Sequence, residues 1–459
     1  MLELAKRNNL LEARNFEYAL QDIDEPQLYR EHFPYTEVPR IAFNHRVVPI
    51  HMPDKIWITD TTFRDGQQSR APYTVEQIVQ LFTFLHRLGG PKGLIRQSEF
   101  FLYSKQDRAA VEACRALGYD FPEITGWIRA SQKDFRLVKE MEIQETGILV
   151  SCSDYHIFQK LKMKRSQAME HYLGVVRMAL DLGIRVRCHL EDITRADIYG
   201  FVIPFAIELR KLSEQTGIPL KLRVCDTMGY GISTPGVAIP RSVGGIIYGL
   251  LHHAGFPSER LEWHGHNDFY RAVSNASAAW LYGASSVNCS LLGIGERTGN
   301  CPLEAMVFEY AQLRGTLDGM DSRIITEIAR YYEKELGYRI PPRTPFLGSD
   351  FNITRAGIHA DGILKNEEIY NIFNTEKILD RPVTVAISNL SGASGVAHWL
   401  QQNHPELSDE QRGKTSAPVQ AIKAWIDRQY EEGRVTSIAD AELESQLQVQ
   451  LGAQSAGKL

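Results

Sequence analysis

The sequence predicts an α/β protein: a closed (β/α)8 TIM barrel with an N-terminal extension and a mainly helical C-terminal lid region. Three observations predict it. Between residues 55 and 300, eight short apolar strands alternate with longer helical stretches, the pattern of a parallel sheet. Their starts are spaced by roughly 25–40 residues, about one βα unit with its loops. Nearly every strand also runs straight into carboxylates, histidines, arginines or hydroxyls, as strand ends do when they converge on the mouth of a barrel. An open, doubly wound sheet is the competing arrangement, because the eighth strand is weak.

In chain order, "KIWITD" (55–60) is the first strand and leads into "TTFRDGQQS" (61–69), which carries Arg64, Asp65 and Gln68. Thr74 is suited to cap the helix "VEQIVQLFTFLHRLG", whose apolar spacing is helical and whose end is glycine. The second strand, "LIRQSEF" (94–100), ends at Glu99, and the third, "PEITGWI" (122–128), ends before Arg129. The fourth, "GILVSCS" (147–153), brings Ser151, Ser153 and Asp154, and is followed by the helical "SQAMEHYLGVVRMALDLG". "RVRCHLED" (185–192) ends in Glu191 and Asp192, and "LKLRVCD" (220–226) in Asp226 and Thr227. "LEWHGHND" (261–268) supplies His264, His266 and Asp268; the weak eighth strand, "SVNCSLL" (286–292), precedes the glycine-rich "GIGERTGN" (293–300). The expected divisions are an extension over 1–50, a barrel over 51–320, and lid and helical subdomains over 321–459.

Composition narrows the function. A formal charge of −5 gives no footprint for nucleic acid or a membrane surface. No apolar run approaches ~18 residues, and "MLELAKRNNLLEARN" lacks a signal-peptide core. The six scattered cysteines form no C-x-x-C pair and read as reduced thiols of a soluble cytoplasmic protein.

The strongest chemical signal is "HGHND". Side chains at i and i+2 of a strand point the same way, so His264 and His266 face one point in the mouth. Asp65 reaches that point because only the eighth strand separates the first from the seventh in a closed ring. Two imidazoles and a carboxylate bind a divalent cation with positions left open. No thiolate is among them, which argues against a structural zinc site. Beside Arg64, such a cation suits an α-keto acid, whose carboxylate and keto oxygen can chelate it.

Taken together, these stretches resemble a known family. "DTTFRDGQQS", "SCSDYHIFQKLKMKR" (151–165), "HLED" (189–192), "CDTMGYG" (225–231), "HGHND" and "GIGERTGNCPLE" stand in the order found in the α-isopropylmalate, homocitrate and citramalate synthases, metal-dependent Claisen condensing TIM barrels. The resemblance implies acetyl-CoA as donor, an α-keto acid as acceptor and release of CoA by hydrolysis. It implies a divalent metal ion, Mn2+ first with Co2+ or Mg2+ as alternatives, held by Asp65, His264 and His266 with Asn300 near. It further implies that Arg64 polarises the acceptor, Thr227 binds its carboxylate and Glu191 lies by the reacting centre. Gln68, Glu99 and Arg129 are expected on the substrate side. "AGIHADGILKNEEIYNIFN" (356–374) resembles the family's lid, whose histidine, here His359, serves the partner subunit of a homodimer as acid or base. Three departures stand out: Tyr270 replaces a usual glycine, "NLSG" (389–392) replaces K-H-S-G, and the tyrosine that assists the base has no clear equivalent. The C-terminal stretch is too short for the amino-acid-sensing domain of some relatives.

The acceptor expected is oxaloacetate. Its second carboxylate needs donors, and the mouth offers Arg129, Gln68, Gln97, Ser151 and Ser153 where an isopropyl group would want leucine and valine. The alternatives are another α-keto acid in the same reaction, cleavage of a hydroxyacyl-CoA by a lyase, or a non-catalytic sensor on a decayed barrel. The lyase places a cysteine in the glycine-rich loop, where this chain has "GERTGN" and Cys301 only follows it.

Overall fold

The computed structural model describes residues 2–5, 10–13 and 18–456. The chain divides into two compact units after Asp321. The first is the barrel: β1 (Trp57–Asp60), β2 (Ile95–Phe101), β3 (Glu123–Ile128), β4 (Glu145–Ser151), β5 (Arg185–Glu191), β6 (Leu220–Asp226), β7 (Leu261–Gly265) and β8 (Ser286–Cys289). All eight pair in parallel and close in the order β8-β1-β2-β3-β4-β5-β6-β7. The open sheet is thereby excluded. The weak eighth strand is the closure: Ser286 pairs with Trp57 on one side and Glu262 on the other.

Local chemistry sets the helices. α1 (Val75–Gly89) starts on a reciprocal cap, Thr74 accepting from the Gln77 N–H and Gln77 accepting from the Thr74 N–H. It buries Ile78, Leu81, Phe82, Leu85 and Leu88 against the barrel. Its stop is Gly90, at φ +65, where a Cβ would lie 2.1 Å from the Gly319 carbonyl oxygen. α2 (Lys105–Ala116), α3 (Gln132–Glu140), α4 (Arg165–Asp181), α5 (Ile203–Thr216), α6 (Val243–Tyr248), α7 (Ala272–Tyr282) and α8 (Leu303–Arg314) complete the outer ring.

Strand alternation sends apolar side chains outward to those helices and polar ones into the barrel. Ile58, Val186, Cys188, Leu190, Leu222, Val224, Trp263 and Val287 are buried on the outer face. Inside, Glu99 takes Arg187 at 2.6 Å and Arg223 at 2.8 Å, and Glu262 takes Arg223 at 2.6 Å. Glu145 pairs with Arg187 at 3.0 Å and Lys221 at 2.9 Å. β2 is not a neighbour of β5 or β6, so the Glu99 pairs cross the interior. Barrel interiors are more often layered with branched apolar residues. This one is an ion network, and each charge in it needs its partner.

The N-terminal segment lies along the barrel. The Gln21 N–H donates to the Gly200 carbonyl at 2.9 Å, the Gln27 N–H to Asp154 at 2.8 Å, and the His51 N–H to the Leu281 carbonyl at 2.8 Å. Leu2–Ala5 and Leu10–Ala13 form an antiparallel pair.

The second unit contains α9 (Ile324–Lys334), α10 (Gly357–Lys365), α11 (Thr375–Leu379), α12 (Gly392–Asn403), α13 (Asp409–Arg412), α14 (Ala417–Glu431) and α15 (Asp440–Ala456). Its core gathers Ile363, Val385, Ile387, Val396, Leu400, Val419, Ile422, Ile426, Leu443 and Leu447. Among the described residues, no helix is long and apolar enough to cross a membrane.

Candidate active site

The strand ends converge as the barrel requires. After β1 the chain makes one wide helical turn, Thr62–Gly66, with all five residues buried. Asp60 pins it, accepting from the Thr62 N–H at 3.0 Å and the Ser98 hydroxyl at 2.6 Å. The turn aims Arg64 and Asp65 into the mouth. Arg64 is fixed from two sides, its Nε on Glu99 and its NH1 on Asp65, both at 2.9 Å.

Asp65, His264 and His266 each offer one ligand atom, and these atoms lie within 4.8 Å of one another. All three residues are buried. His264 Nδ1 donates to Asn288 Oδ1 at 2.8 Å, so its Nε2 lone pair faces Asp65 Oδ2, 3.4 Å away. His266 Nε2 is 3.7 Å from the same oxygen. Burial pushes the His264 imidazole down to about 3 and lowers His266 as well. Burial works against the charge of Asp65, but Arg64 and the two histidines hold its carboxyl well below the usual range. Two neutral imidazoles and an ionised carboxylate are the protonation states a divalent cation binds. Two buried polar atoms of the cluster, His266 Nδ1 and Asn300 Oδ1, have no hydrogen-bond partner among the described residues. The donor set fits a metal ion.

Asn300 donates from Nδ2 to Asp65 Oδ2 at 2.7 Å, and its position depends on the glycine-rich loop. A Cβ on Gly295 would lie 1.7 Å from Asn300 Oδ1. Arg297 ties the loop to the rest of the mouth, with Nε on Asp268 at 2.8 Å and NH2 on the Thr227 carbonyl at 2.6 Å.

Across the ring, Glu191 at the end of β5 accepts from the Ser151 hydroxyl and lies 3.1 Å from His156 Nδ1 and 3.4 Å from Lys160 Nζ. The half-buried Thr227 accepts from the Asp192 N–H at 2.9 Å. Three residues expected on the substrate side are held by other groups or exposed. Both oxygens of Glu99 are occupied by arginines, which makes it the anchor of Arg64. Arg129 is 71% exposed and turned onto Asp134 at 3.1 Å, over the Tyr103 ring. Gln68 is exposed beyond the turn. Other expected donors are also engaged: Gln97 bonds Glu123 at 2.7 Å and Arg187 at 3.1 Å, and the Ser153 hydroxyl donates to Asp192. Tyr270 is 95% exposed at φ +57, a backbone that explains why glycine is usual there. His156 was missed by sequence reasoning, although "SCSDYHIFQKLKMKR" contains it.

In the second unit, His359 lies on α10, its ring 4.3 Å from that of Tyr370. The tyrosine is invisible as a partner in sequence, eleven residues away. Ile358, Ile369, Tyr370, Ile372 and Leu390 of the same unit are exposed.

A closed barrel with this cluster at its carboxyl end belongs to the HMGL-like family, which matches residues 55–331. Residues 350–429 match the homocitrate synthase post-HMGL domain-like family. The chain is 58% identical over 430 residues to the citrate (Re)-synthase of Clostridium kluyveri, covering 94% of this chain and 95% of that one. It is 55% identical over 434 residues to the citrate (Re)-synthase of Syntrophus aciditrophicus, covering 95% and 69%. It is also 37% identical over 432 residues to the 2-phosphinomethylmalate synthase of Streptomyces hygroscopicus, covering 93% and 96%.

Proposed function

We propose that the protein condenses acetyl-CoA with oxaloacetate and hydrolyses the adduct to citrate and CoA, acting as a citrate (Re)-synthase. The observation that carries this is the 58% identity to a citrate (Re)-synthase across both units, 94% of the chain. The lyase and sensor readings are not favoured: Cys301 is buried, and the metal cluster and Arg64 are intact. The donor set expected from sequence does not select oxaloacetate, since Gln97, Ser151 and Ser153 are engaged with protein groups. The choice of acceptor rests on the relatives.

Asp65, His264 and His266 would hold the cation, Mn2+ with Co2+ or Mg2+ as alternatives, and Asn300 orients Asp65. When bound, the ion acts as a Lewis acid on the keto group. Arg64, locked by Glu99 and Asp65, presents its remaining N–H groups to the acceptor's carboxylate and keto oxygen without having to reorganise. Thr227 donates to the carboxylate from the opposite wall. His359 takes the acetyl methyl proton in the partner barrel of a homodimer, a role supported by the resemblance of its stretch to the family's lid and by the Tyr370 ring beside it. The new bond forms on the Re face, as in the relatives' name.

The test is thiol release from acetyl-CoA across oxaloacetate, 2-oxoisovalerate, 2-oxoglutarate and pyruvate, with labelled citrate then cleaved stereospecifically. Oxaloacetate is expected to dominate by orders of magnitude. Turnover with another acid and none with oxaloacetate refutes the reading.

A further inference from the structure

Glu191 is the carboxylate expected by the reacting centre, yet its surroundings make it a poor proton acceptor. Burial raises its pKa, but His156, Ser151 and Lys160 outweigh that and hold the carboxyl at about 2. A base so weak removes few protons at neutral pH. His156 stands beside it on the turn Tyr155–Lys160 that follows β4. With 18% of its side chain exposed, the ring is reached by water.

The imidazole is oriented. Nδ1 lies 3.1 Å from Glu191 Oε2 and 3.4 Å from Lys160 Nζ; the tautomer that donates to the carboxylate carries its lone pair on Nε2. Nε2 is 3.6 Å from Asp192 Oδ2, too far for a hydrogen bond. Asp192 is in any case occupied by Arg195 at 2.9 and 3.1 Å and by Ser153. The remaining charge nearby is Lys160 Nζ, 3.4 Å from Glu191 Oε2 and from His156 Nδ1. A carboxylate on one ring nitrogen and an open lone pair on the other is the arrangement of an activated general base.

We propose that His156 is the general base of the hydrolytic half-reaction, with Glu191 holding it in place. The inference rests on the Claisen reading above. β5 lies opposite β1 in the ring, so His156 and Glu191 face Arg64 and Asp65 across the mouth. The thioester carbonyl of the condensed acyl-CoA is two bonds from the former keto carbon, and in this proposal it is turned toward this wall. Nε2 takes a proton from water as the water oxygen bonds to the thioester carbon. The tetrahedral adduct then collapses with cleavage of the C–S bond. The sulfur leaves with the bonding pair, the imidazolium returns the proton to it, and the products are CoA thiol and a carboxyl group that ionises to solvent.

His156→Asn tests this, because the asparagine amide can still donate to Glu191 while the basic nitrogen is gone. In single turnovers with Mn2+, acetyl-CoA and oxaloacetate, acid-quenched samples should accumulate citryl-CoA. Its hydrolysis should fall by at least about 100-fold, and His156→Gln should behave alike. Added citryl-CoA should still revert to acetyl-CoA and oxaloacetate in both variants, a readout that needs the folded site and no water. Hydrolysis at the wild-type rate overturns the assignment, as does equal loss of reversion and hydrolysis in both variants. A wild-type protein that makes no citrate fails the Claisen reading instead.

Discussion

Glu304→Gln should stabilise the barrel, and only above acid pH. Glu304 sits in the first turn of α8 at 5% exposure, and one of its oxygens accepts from the Leu292 N–H at 3.2 Å. Among the described residues, no ion pair is formed to it, and burial pushes its pKa from the ordinary 4.5 up to about 7. A carboxyl whose folded pKa exceeds its unfolded one binds protons more tightly in the native state. Stability from that proton is therefore full below about 4.5, and is lost as pH rises to about 7. At about 1.4 kcal/mol per pH unit, the loss amounts to about 3 kcal/mol. Glutamine keeps the acceptor for the Leu292 N–H and cannot ionise. Urea unfolding followed by the buried Trp263 and Trp280 should put the variant ahead by no more than about 1 kcal/mol at pH 5. By pH 8 the variant should lead by about 3 kcal/mol. A difference that stays constant from pH 5 to pH 8 refutes the reasoning, as does a variant that is weaker at pH 8.

Three further predictions follow from the site. Chelation should abolish activity and Mn2+ restore it, while Asp65→Ala and His264→Ala should lose metal binding and turnover together, read by calorimetry and thiol release; a variant that still binds metal like the parent contradicts the ligand set. Inactive His359→Ala and Arg64→Ala chains, mixed as heterodimers, should recover part of the activity if the lid serves its partner, and no recovery in proven heterodimers places each lid over its own barrel. Glu99→Gln should cost about 3–5 kcal/mol, because it leaves Arg187 and Arg223 short of a buried counter-charge, and kcat should fall as Arg64 loses its anchor; a stability change below about 1 kcal/mol shows that the network is redundant.

The barrel was legible because its eight strands and their polar ends recur at βα spacing, and "HGHND" was legible because strand geometry puts i and i+2 on one side. The polar interior was equally written there: "RVRCHLE", "LKLRVCD" and "LEWHG" alternate charged with apolar residues, which requires that every second side chain face inward. That alternation also accounts for the partners of Glu99, since an acid on β2 has to balance the arginines that β5 and β6 send to the same axis. The direction of Arg129 was not legible. A strand-end position limits where its Cα lies but not where a long side chain goes, and Asp134 on α3 with the Tyr103 ring draws it outward. His156 and Tyr370 share another cause. Each gains its meaning from a residue distant in sequence, Glu191 for the one and His359 for the other, and only packing brings those pairs together. Charges fixed by the strand period can therefore be read from sequence. Charges that choose a partner across loops cannot, and in this barrel the proposed hydrolytic base is one of them.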